Sequence, residues 1–176
     1  MAKIENELER RDPALSPPVP LTPEHDLSAF DCGEPALNDW LRHRALKNES
    51  RFSRTYVVCQ GRQVVAYFCV SAGAIEREAA PGRIRRNAPD TIPVSVIGRL
   101  AVSRDHGDKG LSADILSDAL RRIAVAAQSI GIAAVLVHAK DDSARRFYMK
   151  CAEFVECPEG SRTLFLPINT VVAAFR

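Results

Sequence analysis

The most constraining stretch runs from residue 95 to residue 139. An apolar run, SVIGRLAV (95–102), leads through a short polar connection to a helix-period segment and then to a second, almost unbroken apolar run, AAVLVHA (133–139). Between Leu111 and Ile130, the residues Leu111, Ile115, Leu116, Ala119, Leu120, Ile123 and Ala127 share one helical face, and Gly131 stands where a C-cap is expected. A strand without polar alternation needs cover on both faces, and strand, helix, strand order favours parallel pairing. The chain therefore reads as α/β, a mixed sheet with helices on both faces.

The flanks fit that frame. TYVVCQ (55–60) and VVAYFCVSAG (64–73) are rich in β-branched and aromatic residues and are separated by Gly61, Arg62 and Gln63, which predicts a hairpin. Leu37, Trp40, Leu41 and Ala45 have the spacing of a first amphipathic helix. DSARRFYMKCA (142–152) predicts a short helix, and VEC with RTLFLPI (162–168) the final strands. Residues 76–93 read as a polar loop carrying the basic cluster Arg83, Arg85 and Arg86. Residues 1–26 hold Pro13, Pro17, Pro18, Pro20 and Pro23, which predicts an extended arm ahead of one domain spanning 27–176. A chain of 176 residues, 46% of them hydrophobic, suits a single core.

A formal net charge of +2 neither demands nor excludes a nucleic-acid partner. No run approaches the roughly 18 apolar residues of a membrane span, and the charged N-terminus is no signal-peptide core, so no membrane partner and a cytoplasmic location are expected. Five cysteines, odd in number and without a C-x-x-C pair, read as reduced thiols acting as small hydrophobes, and no metal is expected.

SVIGRLAV followed by SRDHGDKGLSADIL resembles the strand, pyrophosphate loop and helix of the GNAT superfamily of N-acetyltransferases. That resemblance implies a mostly antiparallel sheet with a central parallel pair, acetyl-CoA as acetyl donor, and cofactor contacts from Leu100, Ala101, Val102, Gly107, Asp108, Lys109, Gly110, Leu111 and Ser112. The chemistry is that of a helix N-terminus, whose free N–H groups and dipole attract a diphosphate while glycines allow close approach. The toxin branch of the family typically has Q-G-x-G-L-G here. Matched without gaps, Gly107 stands for the glutamine, Asp108 for the first glycine and Ser112 for the last, while Gly110 and Leu111 agree. A carboxylate about 4 Å from a phosphate charge costs on the order of 4 kcal/mol before screening at an effective dielectric near 20. Taken alone, the stretch is equally a strand-to-helix turn capped by Asp108.

SARRFYMKCAEF resembles the family's A-x-x-F-Y-x-x-x-G-F, with Ala152 at the glycine and the phenylalanine displaced to Phe154, which predicts a bulge or longer turn. On its own, Tyr148 would be a packed core residue with a satisfied hydroxyl. The resemblance implies that it protonates the departing CoA thiolate. His138 reads as a structural residue within the apolar strand, and His106 as a solvated one, so no protein base is evident. An α-amino acceptor needs none: its pKa is about 7.7–8.0, against about 10.4 for lysine.

FDCGEPALNDWL (30–41) and PGRIRRNAPDTIPVSVIGRLAV (81–102) narrow the resemblance to type II toxin acetyltransferases. That branch implies aminoacyl-tRNA as acceptor, a ribbon-helix-helix antitoxin and a homodimer. Arg83, Arg85 and Arg86 would then contact RNA phosphates, the plain alternative being a solvated loop. Two other readings remain: an acetyltransferase of protein lysine or a small amine, and a non-catalytic GNAT module serving as an antitoxin-binding or RNA-binding surface.

Overall fold

A computed structural model of the chain describes residues 14–107 and 109–176. Its strands are β1 (Val19–Pro20), β2 (Arg54–Gln60), β3 (Gln63–Glu76), β4 (Thr91–Val102), β5 (Ala134–His138), β6 (Val155–Glu156) and β7 (Thr163–Pro167). They form one seven-stranded sheet in the order β1-β2-β3-β4-β5-β7-β6. Every neighbouring pair is antiparallel except β4 and β5, which are parallel, as the apolar run 133–139 predicts. The helices are α1 (Pro35–His43), α2 (Ala45–Asn48), α3 (Gly82–Arg85), α4 (Leu111–Ala126), α5 (Asp142–Cys151) and α6 (Ile168–Ala174).

Alternation along the strands sorts the helices between two faces. Phe68, Ile97, Val135 and Val137 share a buried cluster with Ile115 and Ala119 of α4, Tyr148 of α5 and Val171 of α6. On the opposite face Tyr67 and Cys69 pack against Trp40 and Leu41 of α1, and Val94 and Leu136 against Ile84 of α3.

Several sequence expectations need correction. α4 ends at Ala126, not near Ile130, because its last buried residue is Ala124, and Gly131 does not cap it. β4 begins at Thr91 rather than Ser95: Ile92 is fully buried, and Pro93 sits inside the strand opposite Ala74. The polar loop 76–93 contains the one-turn helix α3, held by buried Ile84. The expected arm lies partly outside the described residues, but Val19–Pro20 pairs with β2 at the sheet edge, where a proline is tolerated, and Leu21 is buried. The hairpin turn is only Gly61–Arg62, with Gly61 at φ +63°, and Gln63 already pairs with Gln60. Cys59 and Cys69 are buried thiols, whereas Cys151 is exposed.

A register shift carries the fold towards function. β3 pairs Cys69 with Arg99 and Val70 with Ile97, so Gly98 bulges out of β4. Pairing between β4 and β5 runs only from Val94–Ala134 to Ile97–Val137. Beyond Ile97 the two central strands separate.

Candidate active site

A cavity of about 360 Å³ opens where β4 and β5 separate. Leu100, Ala101 and Val102 form its β4 wall, and Gly107 and Ser112 its loop and helix end. Phe147 and Tyr148 close it from α5. Six residues expected to act together are thus brought to one site across three elements. Lys109, Gly110 and Leu111 do not line it: Lys109 is exposed, and Leu111 turns into the core below α4. Asp108 lies outside the described residues. Arg83, Arg85 and Arg86 are exposed on and just after α3. Since β4 spans about 36 Å at 3.3 Å per residue, they sit at the far end of that strand from the loop.

Gly110 is the N-cap residue of α4, at φ +72°, a left-handed conformation that glycine adopts without steric cost. Among the described residues, which leave out Asp108, no side chain caps this helix, and its first internal bond runs from Asp114 N to Gly110 O. The amides of Leu111, Ser112 and Ala113 are therefore left without intrahelical acceptors, beside the cavity wall formed by Ser112. This arrangement favours an anion through both the unpaired donors and the helix dipole.

Tyr148 is 7% exposed and stands edge-on between Phe147 and Phe154, with ring centroids 5.2 and 5.7 Å away. Burial, with smaller contributions from the Cys151 and Cys69 thiols, pushes its hydroxyl up to about 12. The neutral form is thus favoured in the fold, so this contribution to stability is complete below the unfolded value of about 10 and fades as pH rises towards about 12. Melting temperature measured across that window is expected to fall more steeply in the wild type than in Tyr148→Phe. α5 is fixed by Asp141, whose carboxylate accepts from the Ala144 amide at 2.8 Å. Phe154 is buried and its amide bonds to Ala152 O, so its displaced position is taken up by a tight turn rather than by the bulge or longer turn expected.

Sequence reasoning missed the fourth wall. Cys32 and Leu37 line the cavity from the segment that enters α1. Tyr67 donates to Leu37 O at 2.8 Å, and Trp40 stacks on Tyr67 with the Arg99 guanidinium 4.2 Å from its ring centroid. Asp31 anchors the same segment: the Gly33 amide and the Asn38 side chain hold its carboxyl below the usual range, and Arg104 pairs with it at 3.6 Å. Lys140 also lines the cavity and pairs with Glu34 at 3.3 Å. The turn after a parallel strand was the available signal for Lys140 and Asp141.

His138 does lie in the apolar strand, though exposed at its end, whereas His106 is less solvated than expected. His138 is the exposed last residue of β5, its Nδ1 3.2 Å from Thr163 Oγ1. His106 is half-buried, with Nδ1 lacking a partner among the described residues. His138 borders a larger cavity of about 610 Å³ on the α1–α3 face, walled by Val94, Val96, Leu136 and Phe165. No helix among the described residues is long and apolar enough to cross a membrane.

No protein-family model matches the chain. A tRNA-acetylating toxin of Mycobacterium tuberculosis is 44% identical over 135 residues, which cover 76% of this chain and 81% of that protein. Among solved structures, AtaT complexed with acetyl-methionyl-tRNAfMet gives a TM-score of 0.84 at 29% identity, covering 93% of this chain and 100% of that one. A mutant AtaT toxin bound to the C-terminus of the antitoxin AtaR and acetyl-CoA gives 0.79 at 28% identity, covering 92% and 98%. Over most of its length, in sequence and in fold, this chain belongs to the family of tRNA-acetylating toxins.

Proposed function

We propose that the chain is the toxin of a type II toxin–antitoxin system, an enzyme that transfers acetyl from acetyl-CoA to the α-amino group of aminoacyl-tRNA and so blocks translation. The observation that carries this reading is the cavity at the β4–β5 separation, which holds Tyr148, Gly107 and Ser112 at the start of α4 together. The diphosphate of acetyl-CoA binds the free amides of α4. An amide-bearing arm such as pantetheine pairs with the open edge of β4 beyond Ile97, in the manner of an added strand. The thioester then lies at the separation point, with Tyr148 positioned to protonate the leaving thiolate.

The acceptor amine approaches from the opposite face, where the larger cavity lies beside Val96 and His138. It attacks the thioester carbonyl, the tetrahedral intermediate expels the CoA sulfur, and the amide forms as the amine loses its proton to solvent. An α-amino group near pKa 8 is partly neutral at cytoplasmic pH, so this site needs no strong base. Transfer of labelled acetyl to purified aminoacyl-tRNA, read as acid-stable N-acetyl-aminoacyl product, tests the reading. Equal transfer to a lysine peptide, insensitive to tRNA, would replace it with the protein-lysine alternative. The family relationship also supports a ribbon-helix-helix antitoxin as inhibitor and a homodimeric assembly, which co-purification and light scattering test.

Arg83, Arg85 and Arg86 are proposed to contact tRNA phosphates rather than the donor. Replacing all three with Glu is expected to weaken tRNA binding and to make its log–log salt dependence shallower by about two to three units, at about 0.7–0.9 per lost phosphate contact. Acetyl-CoA affinity, measured by calorimetry, should hold. A mutant that keeps the full salt slope would leave this cluster a solvated loop.

A further inference from the structure

A second basic surface lies on the segment joining α1 to β2. Residues 42–51 contain Arg42, His43, Arg44, Lys47 and Arg51 against a single acid, Glu49. Glu49 is occupied, accepting from the Thr55 amide at 2.8 Å, and Arg42 turns inwards to donate to the carbonyls of Leu27 and Phe30. His43, Arg44, Lys47 and Arg51 are exposed, and among the described residues none of them enters an ion pair. Helical hydrogen bonds from Asn48 N to Arg44 O and from Phe52 N to Asn48 O carry the turn beyond α2. Arg44 caps α2, Lys47 lies on it and Arg51 follows in the turn closed by Phe52 N to Asn48 O, so the three exposed cations form a short basic stripe along the chain. Beside them Phe52 is 65% exposed, with the Arg51 guanidinium 5.2 Å from its ring centroid.

The stripe is tied to the reaction site at both ends. At one end Arg44 follows α1, whose first-turn residue Leu37 lines the cavity holding Tyr148, about 10 Å away along the helix. At the other, β2 begins at Arg54, which pairs with Val70, which pairs with Ile97, the last β4 residue paired with β5. Two inter-strand spacings of about 4.8 Å put that row about 10 Å from the separation point. α1 and α3 also pack on one sheet face, the face that carries the larger cavity.

We propose that Arg44, Lys47 and Arg51, with Phe52, form the surface that seats the acceptor end of the RNA substrate, the cations taking backbone phosphates and the ring stacking with an unpaired base. This inference rests on aminoacyl-tRNA being the acceptor. Three unopposed cations on one stripe match a phosphodiester backbone, and a solvent-facing aromatic among them matches single-stranded RNA, whose splayed bases stack on such rings. An acidic peptide would engage the cations and leave Phe52 without a role.

The test uses the full-length protein, deacylated tRNA as binding probe across a salt series, and aminoacyl-tRNA as substrate. The combined Arg44→Gln, Lys47→Gln, Arg51→Gln variant is expected to bind tRNA at least about tenfold more weakly, with a log–log slope shallower by about two to three, and to show a raised KM for aminoacyl-tRNA. Acetyl-CoA affinity stays at the wild-type value. Phe52→Ala weakens binding without changing the slope. If the combined variant does not fold, each single variant is expected to remove about 0.7–0.9 from the slope. Wild-type protein that acetylates aminoacyl-tRNA alongside variants that keep full slope and KM would overturn this surface and leave the function standing. Loss of antitoxin affinity alone would assign the stripe to a protein partner and equally overturn it. No transfer to aminoacyl-tRNA by the wild type would overturn the function reading, and the inference with it.

Discussion

Tyr148→Phe is expected to lower acetyl transfer to aminoacyl-tRNA by about 10²–10⁴-fold, the range that a positioned general acid contributes. Only the hydroxyl is lost. The ring keeps its edge-on packing between Phe147 and Phe154, so acetyl-CoA affinity and near-neutral stability should change little. The pH profile sharpens the test. Burial holds the hydroxyl protonated up to about 12, so wild-type turnover should show no alkaline fall from this group below about pH 10. Its rise at lower pH should follow the acceptor amine, with a midpoint of about 7.7–8.0. CoA release measured with aminoacyl-tRNA reads both. A phenylalanine variant that turns over at the wild-type rate would remove Tyr148 from the proton-donor role and leave it a packing residue.

The strand, helix, strand unit from 95 to 139 was legible because periodicity reports burial, and here burial follows the period closely: Ile115, Leu116, Ala119, Leu120 and Ile123 are all buried. Where local chemistry and tertiary packing disagreed, the sequence misled. Pro93 argued against a strand, yet β4 takes it in opposite Ala74, ahead of the residues that pair with β5. INTVVAA is rich in β-branched residues, which lowers its helix propensity, so beyond the strand expectation ending at Ile168 it gave no helix signal; α6 forms there with Val171 buried in the core shared with α4. The site divides in the same way. Ser112 and Tyr148 sit in motifs with fixed spacing and could be named in advance, whereas Cys32 and Leu37 reach the cavity through contacts such as Tyr67 to Leu37 O that no local pattern encodes.

Ser112→Asp separates two roles for the start of α4, because one is read in stability and the other in acetyl-CoA affinity. If that end of the helix is structural only, a carboxylate in its first turn meets the positive end of the dipole and unpaired amides, and stabilises the fold by about 0.3–1 kcal/mol. If it binds the donor's diphosphate, the same carboxylate stands against that charge. At about 4 Å and an effective dielectric near 20 the bare repulsion is on the order of 4 kcal/mol per charge pair, and solvent at this open site reduces it. About 2–3 kcal/mol remaining corresponds to roughly a hundredfold loss of acetyl-CoA affinity. The expected result is therefore a variant that melts at or slightly above the wild-type temperature and binds acetyl-CoA about a hundredfold more weakly. Raised salt should narrow the gap, because exposed charges are screened. Ser112→Asn, of nearly the same shape without the charge, should bind within a few-fold of wild type, which separates repulsion from crowding of the cavity wall. An aspartate variant that binds acetyl-CoA as tightly as the wild type would place the diphosphate away from α4, and the open edge of β4 would be left as the support for donor binding in this cavity.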